Sequence, residues 1–153
     1  GLILTAQPLV MAVVAPISGT LSDRIGARKL CMAGMATMST GLIVLSRLNS
    51  DSSVLLVLIG LAIVGLGTGT FISPNNSALM GSAPYERQGI AAGIMATARS
   101  TGMVLGVGLS GAILTTAMAG IQGNQALYSA IHISFLVSAA IAGIGVFTGS
   151  LQN

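Results

Sequence analysis

Charge is almost missing from this chain: 6% of its 153 residues are Asp, Glu, Lys or Arg, and only three of them are acids. A water-soluble domain of that length needs several times as many charges to cover its surface, so a soluble globule is excluded. Tryptophan is absent and aromatic residues make up 3%. With no basic stripe and almost no aromatic residues to stack on bases, nucleic-acid binding is excluded despite the net charge of +3. The single cysteine, Cys31, allows neither an internal disulfide nor a multi-cysteine metal site, and it reads as a small apolar residue near a helix start. No Ser/His/acid set, carboxylate pair or metal-spaced cluster occurs, so the sequence leads us to expect no enzyme, cofactor or metal.

What remains is apolar. Hydrophobic residues make up 53%, the mean hydropathy is +0.92, and there are 21 glycines and eight methionines. Uninterrupted apolar runs predict five membrane-spanning helices at about 1–22, 30–46, 54–81, 89–119 and 127–149. The runs far exceed the roughly 10 residues of a membrane strand and lack its alternation, so the fold class is an all-α polytopic bundle in a lipid bilayer. Residues 1–153 form one membrane domain. Pro8 and Pro16 fall inside the first span and Pro74 inside the third, where neighbouring helices can tolerate kinks. The run starts at Gly1 with neither Met nor a targeting pattern, which predicts a piece of a longer protein.

Between the first two spans lies a short charged joint, Gly19 to Leu30, holding four of the nine charged residues. The turns on its side of the membrane carry Arg24, Arg28, Lys29 and Arg87, against Arg47 alone on the other side. The excess places the joint in the cytoplasm, the amino end outside and Asn153 inside. Tyr85 and Tyr128 then fall near opposite interfaces. Asp23 is expected to cap the second helix. Arg24, Arg28 and Lys29 are expected to pair with acids or with carbonyls at the ends of neighbouring helices, and Gly19 and Gly26 to permit close approach and a sharp turn.

Glycines recur at four-residue spacing: Gly65/Gly69, Gly89/Gly93, Gly102/Gly106 and Gly145/Gly149. Small residues let helix backbones approach closely in lipid, so these pairs predict helix packing. The letters of Gly106–Gly111 fit a dinucleotide fingerprint, but inside an apolar helix they lack its strand and turn. Asn75–Ser77 fits a glycosylation sequon but lies at membrane depth. His132, near the outer end of the last helix, is expected to be a packing or interface residue.

Gly19-x-Leu21-x-Asp23-Arg24-x-Gly26-x-Arg28-Lys29 resembles the signature loop of the major facilitator superfamily, which joins the second and third helices of a six-helix half. Three further stretches, Gly65–Asn76, Ala83–Gly93 and Ala98–Gly106, resemble the fourteen-helix drug:proton antiporters (EmrB/QacA-like) near their carboxyl end. The turn before the last helix is shorter here than in many members. The resemblance spans essentially the whole chain and implies helices ten to fourteen, with the first helix of that half upstream of Gly1. It implies a latch role for the loop against the opposite, amino-terminal half. It also implies efflux of amphipathic compounds by proton antiport through alternating access, in a bacterial plasma membrane.

Arg99 is the one charge well inside a span, about ten residues or roughly 15 Å from the cytoplasmic end of its helix. It is expected to face the bundle interior or water, with Asn75 and Asn76, just past Pro74, as partners. These four residues are the candidates for a translocation path or gate; the other possibility is a structural hydrogen bond that locks the bundle. Asp23, Asp51 and Glu86 all fall in turns, so the proton-carrying acid of an antiporter is expected in the amino-terminal part. Two alternatives stand beside antiport: a metabolite transporter of the same superfamily, and a non-transporting membrane module.

Overall fold

The computed structural model describes residues 2–49, 52–120 and 124–151. A 3-10 turn, Leu2–Thr5, leads into α1 (Ala6–Ile25), followed by α2 (Ala27–Ser46) and α3 (Val54–Ser82). A second 3-10 turn, Tyr85–Arg87, precedes α4 (Gln88–Gly120) and α5 (Asn124–Leu151). Five helices are long and apolar enough to cross a membrane, and no strand occurs among the described residues. At 1.5 Å per residue α3 and α4 are about 44 and 50 Å long, so both outrun a hydrocarbon core of about 30 Å.

The helices extend further into the charged joint than the sequence predicts. α1 continues through Asp23 and Arg24 to Ile25, and α2 starts at Ala27. The whole reversal rests on Gly26, at φ 90° and ψ 135°, a backbone conformation open to glycine and closed to other residues. Arg is a sound helix former and Asp costs well under about 1 kcal/mol relative to the best, so charge alone does not end a helix. A second correction concerns Asp23. It sits in the last turn of α1, and the residue ahead of α2 is Gly26, with no side-chain cap. Asp23 is therefore too far back along its own helix to reach the first N–H groups of α2.

Local chemistry sets the other ends. Ser53 caps α3 by accepting from the Leu56 N–H at 3.4 Å. Pro84, just past Ala83, prevents α3 from continuing. Pro8 stands in the first turn of α1, where its missing N–H costs nothing, so only Pro16 and Pro74 lie in helix interiors. Asp51 and residues 121–123 of the expected last turn lie outside the described residues.

α3 is the central element, sharing its largest interfaces with α2 and α1; α5 packs on the far side of α2, and α4 rests on α5 while scarcely meeting α3. The buried positions of α3 are Gly60, Val64, Gly65, Gly67, Gly69 and Pro74. A Cβ on Gly65 would lie 2.5 Å from the Gln7 carbonyl oxygen of α1, and one on Gly67 would lie 2.5 Å from the Met38 nitrogen of α2. Glycines on opposite faces thus let two helices approach α3 backbone to backbone. Two buried or half-buried hydroxyls fasten neighbours: Ser18 Oγ donates to the Gly69 carbonyl at 2.9 Å, and Ser39 Oγ to the Ala139 carbonyl at 2.9 Å.

Candidate functional site

The joint and the Pro74 segment of α3 come together. A Cβ on Gly19 would lie 2.8 Å from Ser73 Oγ, so α1 runs close to α3 one residue before Pro74, and a larger residue at Gly19 would turn the Ser73 hydroxyl aside. One turn on, Ser22 is buried and donates to the Gly19 carbonyl at 2.7 Å. From α2, Cys31 Sγ faces the Phe71 carbonyl at 3.8 Å. Pro74 is fully buried, and its ring nitrogen leaves the Thr70 carbonyl without its usual helical donor. Both flanks of the joint therefore abut the stretch of α3 where the helical ladder is weakest.

Arg28 reaches across to the end of α5. Its Nε donates to the Gly149 carbonyl at 2.9 Å and its Nη2 to the Ser150 carbonyl at 3.0 Å. These carbonyls belong to the last turn of α5, where no intrahelical donor is left and the helix dipole favours a cation. The expectation that a joint cation pairs with a helix end is met at this residue. Because the site is exposed, the two bonds contribute about 1 kcal/mol. Arg28→Ala should lose that amount in detergent unfolding titrations. Arg28→Lys should recover less than half, since an ammonium cannot bridge two carbonyls as a planar fork does.

The remaining joint residues Leu21, Asp23, Arg24 and Lys29 are exposed, and among the described residues Asp23, Arg24 and Lys29 form no ion pair or side-chain hydrogen bond. Tyr85, in the turn on the same side as the joint, is 88% exposed. On the opposite side, His132 meets the Ser46 carbonyl at 2.6 Å through Nδ1, so that nitrogen carries a proton. The contact ties the start of α5 to the last turn of α2 and fits a packing residue. Ser18 and Ser39 make interhelical contacts the sequence reading did not assign; hydroxyls inside apolar runs were the available signal.

The gate candidates are less closely grouped. Asn75 and Asn76 are half-buried on α3, while Arg99 is exposed on α4. Among the described residues no hydrogen bond or ion pair joins Arg99 to either asparagine. The reason is the sparse contact between α3 and α4, together with unequal depth: the asparagines lie about 10 Å from the end of α3, nearer the joint side than Arg99. Arg99 lies about 16 Å from the start of α4, where an unpaired guanidinium in lipid costs about 3 kcal/mol. Arg99, Gly102 and Gly106 share one face of α4 at i, i+3 and i+7. The two glycines line an apolar cleft of about 550 Å³, together with Met35, Met38, Phe71 and Ile141 among others.

Comparison with known proteins adds lineage to this geometry. The family model described as "Major Facilitator Superfamily" matches residues 1–151. The riboflavin transporter RibZ of Clostridioides difficile (strain 630) is 33% identical over 150 residues, 95% of this chain and 33% of that protein. The uncharacterized transporter YebQ of Escherichia coli (strain K12) is 34% identical over 152 residues, 99% of this chain and 31% of that protein. The multidrug resistance protein Stp of Mycobacterium tuberculosis (strain CDC 1551 / Oshkosh) is 36% identical over 114 residues, 74% of this chain and 21% of that protein. The chain spans about a third of the length of the first two relatives.

Proposed function

The chain belongs to the major facilitator superfamily, a family of membrane transporters, and on that premise we propose that it serves as most of the carboxyl-terminal half of a drug:proton antiporter. The substrates would be amphipathic small molecules, exported from a bacterial cytoplasm in exchange for protons. Transport would proceed by alternating access, the two halves rocking about a site near the midplane. The joint lies in the cytoplasm in this reading, following the distribution of Lys and Arg.

The observation that carries the proposal is how the joint divides its residues. Gly19 and Arg28 contact other helices of the bundle and Gly26 makes the reversal, whereas Leu21, Asp23, Arg24 and Lys29 stand exposed, the last three with no ion pair or side-chain hydrogen bond among the described residues. The second group acts as a latch against the amino-terminal half, and the first group transmits its state to the Pro74 segment and to α5. Pro74, Asn75, Asn76 and Arg99 then serve as elements of the path or gate. Gly65 and Gly69 serve internal packing, while Gly89, Gly93, Gly102 and Gly106 serve packing against helices from elsewhere in the transporter.

A metabolite substrate is the second reading, favoured by the 33% identity to a protein named as a riboflavin transporter. Proteoliposomes holding the transporter polypeptide that contains this chain separate the two. Under an imposed pH gradient, adding a lipophilic dye should release protons, and riboflavin should not. Proton release with riboflavin alone would favour the metabolite reading; none with any substrate would sink antiport. The 153-residue chain by itself is expected to give no proton-coupled flux, because Asp23 and Glu86, its described acids, lie at helix ends or in turns. Robust coupling from it would overturn the placement of the proton-carrying acid elsewhere.

A further inference from the structure

We propose that the Arg99 face of α4 docks a transmembrane helix from outside these 153 residues, and that this helix carries a carboxylate facing the Arg99 guanidinium. The inference rests on the reading above, in which the chain works inside a longer transporter, and it names the partner of one gate candidate.

The glycines of α4 carry the first part. On α3, a Cβ on Gly60, Gly65, Gly67 or Gly69 would meet α1 or α2 atoms at 2.5 to 3.2 Å. On α4, a Cβ on Gly89, Gly93, Gly102, Gly106, Gly108 or Gly111 would meet nothing within 4 Å. None of the apolar window of this helix is buried, against 28% for α2 and α3. Glycine gains nothing against lipid tails, and its use in membrane helices is to admit a second backbone. Gly102 and Gly106 face an apolar cleft of about 550 Å³ that separates α4 from Met38 of α2, Phe71 of α3 and Ile141 of α5, so the space lies between α4 and the rest of the bundle.

Arg99 selects the occupant. It lies on the same face as Gly102 and Gly106, one turn nearer the joint side, and is exposed with no ion pair among the described residues. Acyl chains could fill the cleft, but they cannot hydrogen-bond a guanidinium at that depth. A helix with an acidic side chain satisfies Gly102, Gly106 and the charge on their shared face, and a planar guanidinium suits bidentate capture of a carboxylate. Relatives about three times as long as this chain supply ample sequence for such a helix.

The test uses the complete transporter polypeptide in detergent. Arg99→Glu should place two acids face to face and abolish the monodisperse elution peak. Each membrane-embedded Asp or Glu outside the 153 residues is then changed to Arg, one at a time, in the Arg99→Glu background. One such swap should restore the peak and the parental melting midpoint. Failure of every swap to restore them overturns the pair. Independently, Gly102→Leu and Gly106→Leu should each lower the midpoint by about 5 °C or more; tolerance of both overturns the docking face. Transport by the rescued swap keeps this separate from the gate reading. A swap that folds without transporting supports the pair and leaves Arg99 at the gate. One that folds and transports supports the pair and removes Arg99 from it.

Discussion

Gly67→Ala is expected to destabilise the bundle by about 3 kcal/mol, although alanine is the better helix former. The added Cβ would lie 2.5 Å from the Met38 nitrogen, 2.7 Å from the Gly34 carbonyl oxygen and 2.8 Å from the Met38 Cα. All three are backbone atoms of α2, so no side chain can rotate away. Relief requires α2 and α3 to separate by about 1 Å, and a gap of that size forfeits a quarter to a half of each dispersion contact along the interface. This is the largest interface of the fold. Helix propensity offsets the loss by no more than about 1 kcal/mol. Gly67→Leu should prevent assembly of the bundle altogether. Gly81, on the same helix, has nothing within 4 Å of its Cβ position, and Gly81→Ala should be neutral or slightly stabilising. Unfolding by titration with a denaturing detergent reads all three variants. Equal midpoints for Gly67→Ala and Gly81→Ala would refute backbone contact as the basis of the α2–α3 interface.

The same glycines show how far the sequence could be read. Spacing of four marked Gly65 and Gly69 for close packing, and both meet α1, at Gln7 and at Met11 and Val14. Gly67, between them and outside any such pair, makes the tighter approach on the opposite face. A spacing identifies a face; it does not say how many neighbours a central helix has. Gly145 and Gly149 meet Met35 and Met32 of α2, whereas Gly89/Gly93 and Gly102/Gly106 have the same spacing and meet nothing within 4 Å among the described residues. The five apolar runs were legible because burying a backbone in lipid allows few alternatives to a helix. Their ends were less so, since the sequence reading equated charge with loop and α1 carries its charges to the last turn. The azimuth of each helix, and with it the separation of Arg99 from Asn75 and Asn76, depends on contacts that no single run encodes.

Gly26→Ala tests the other glycine on which the fold depends, and for a different reason. At φ 90° and ψ 135° an L-residue is strained whatever space surrounds it, and nothing lies within 4 Å of the Cβ position. The expected loss is about 2 kcal/mol, the usual range for a residue held in such a region. Because the cause is the dihedral angle and not a clash, Ala, Ser and Leu should cost the same to within about 0.5 kcal/mol. At Gly67, by contrast, the cost should climb steeply with side-chain size. The reversal cannot be shared with neighbours, since Ile25 is the last residue of α1 and Ala27 the first of α2. A variant that relaxes the strain must therefore swing the start of α2, where Arg28 reaches the end of α5. Loss of the Arg28 contacts to Gly149 and Ser150 should then appear as faster hydrogen exchange in the last turn of α5. Gly26→Ala together with Arg28→Ala should cost less than the sum of the two single losses. Full additivity would mean that the joint does not communicate with α5, and it would remove the route by which the latch is proposed to reach the far helix.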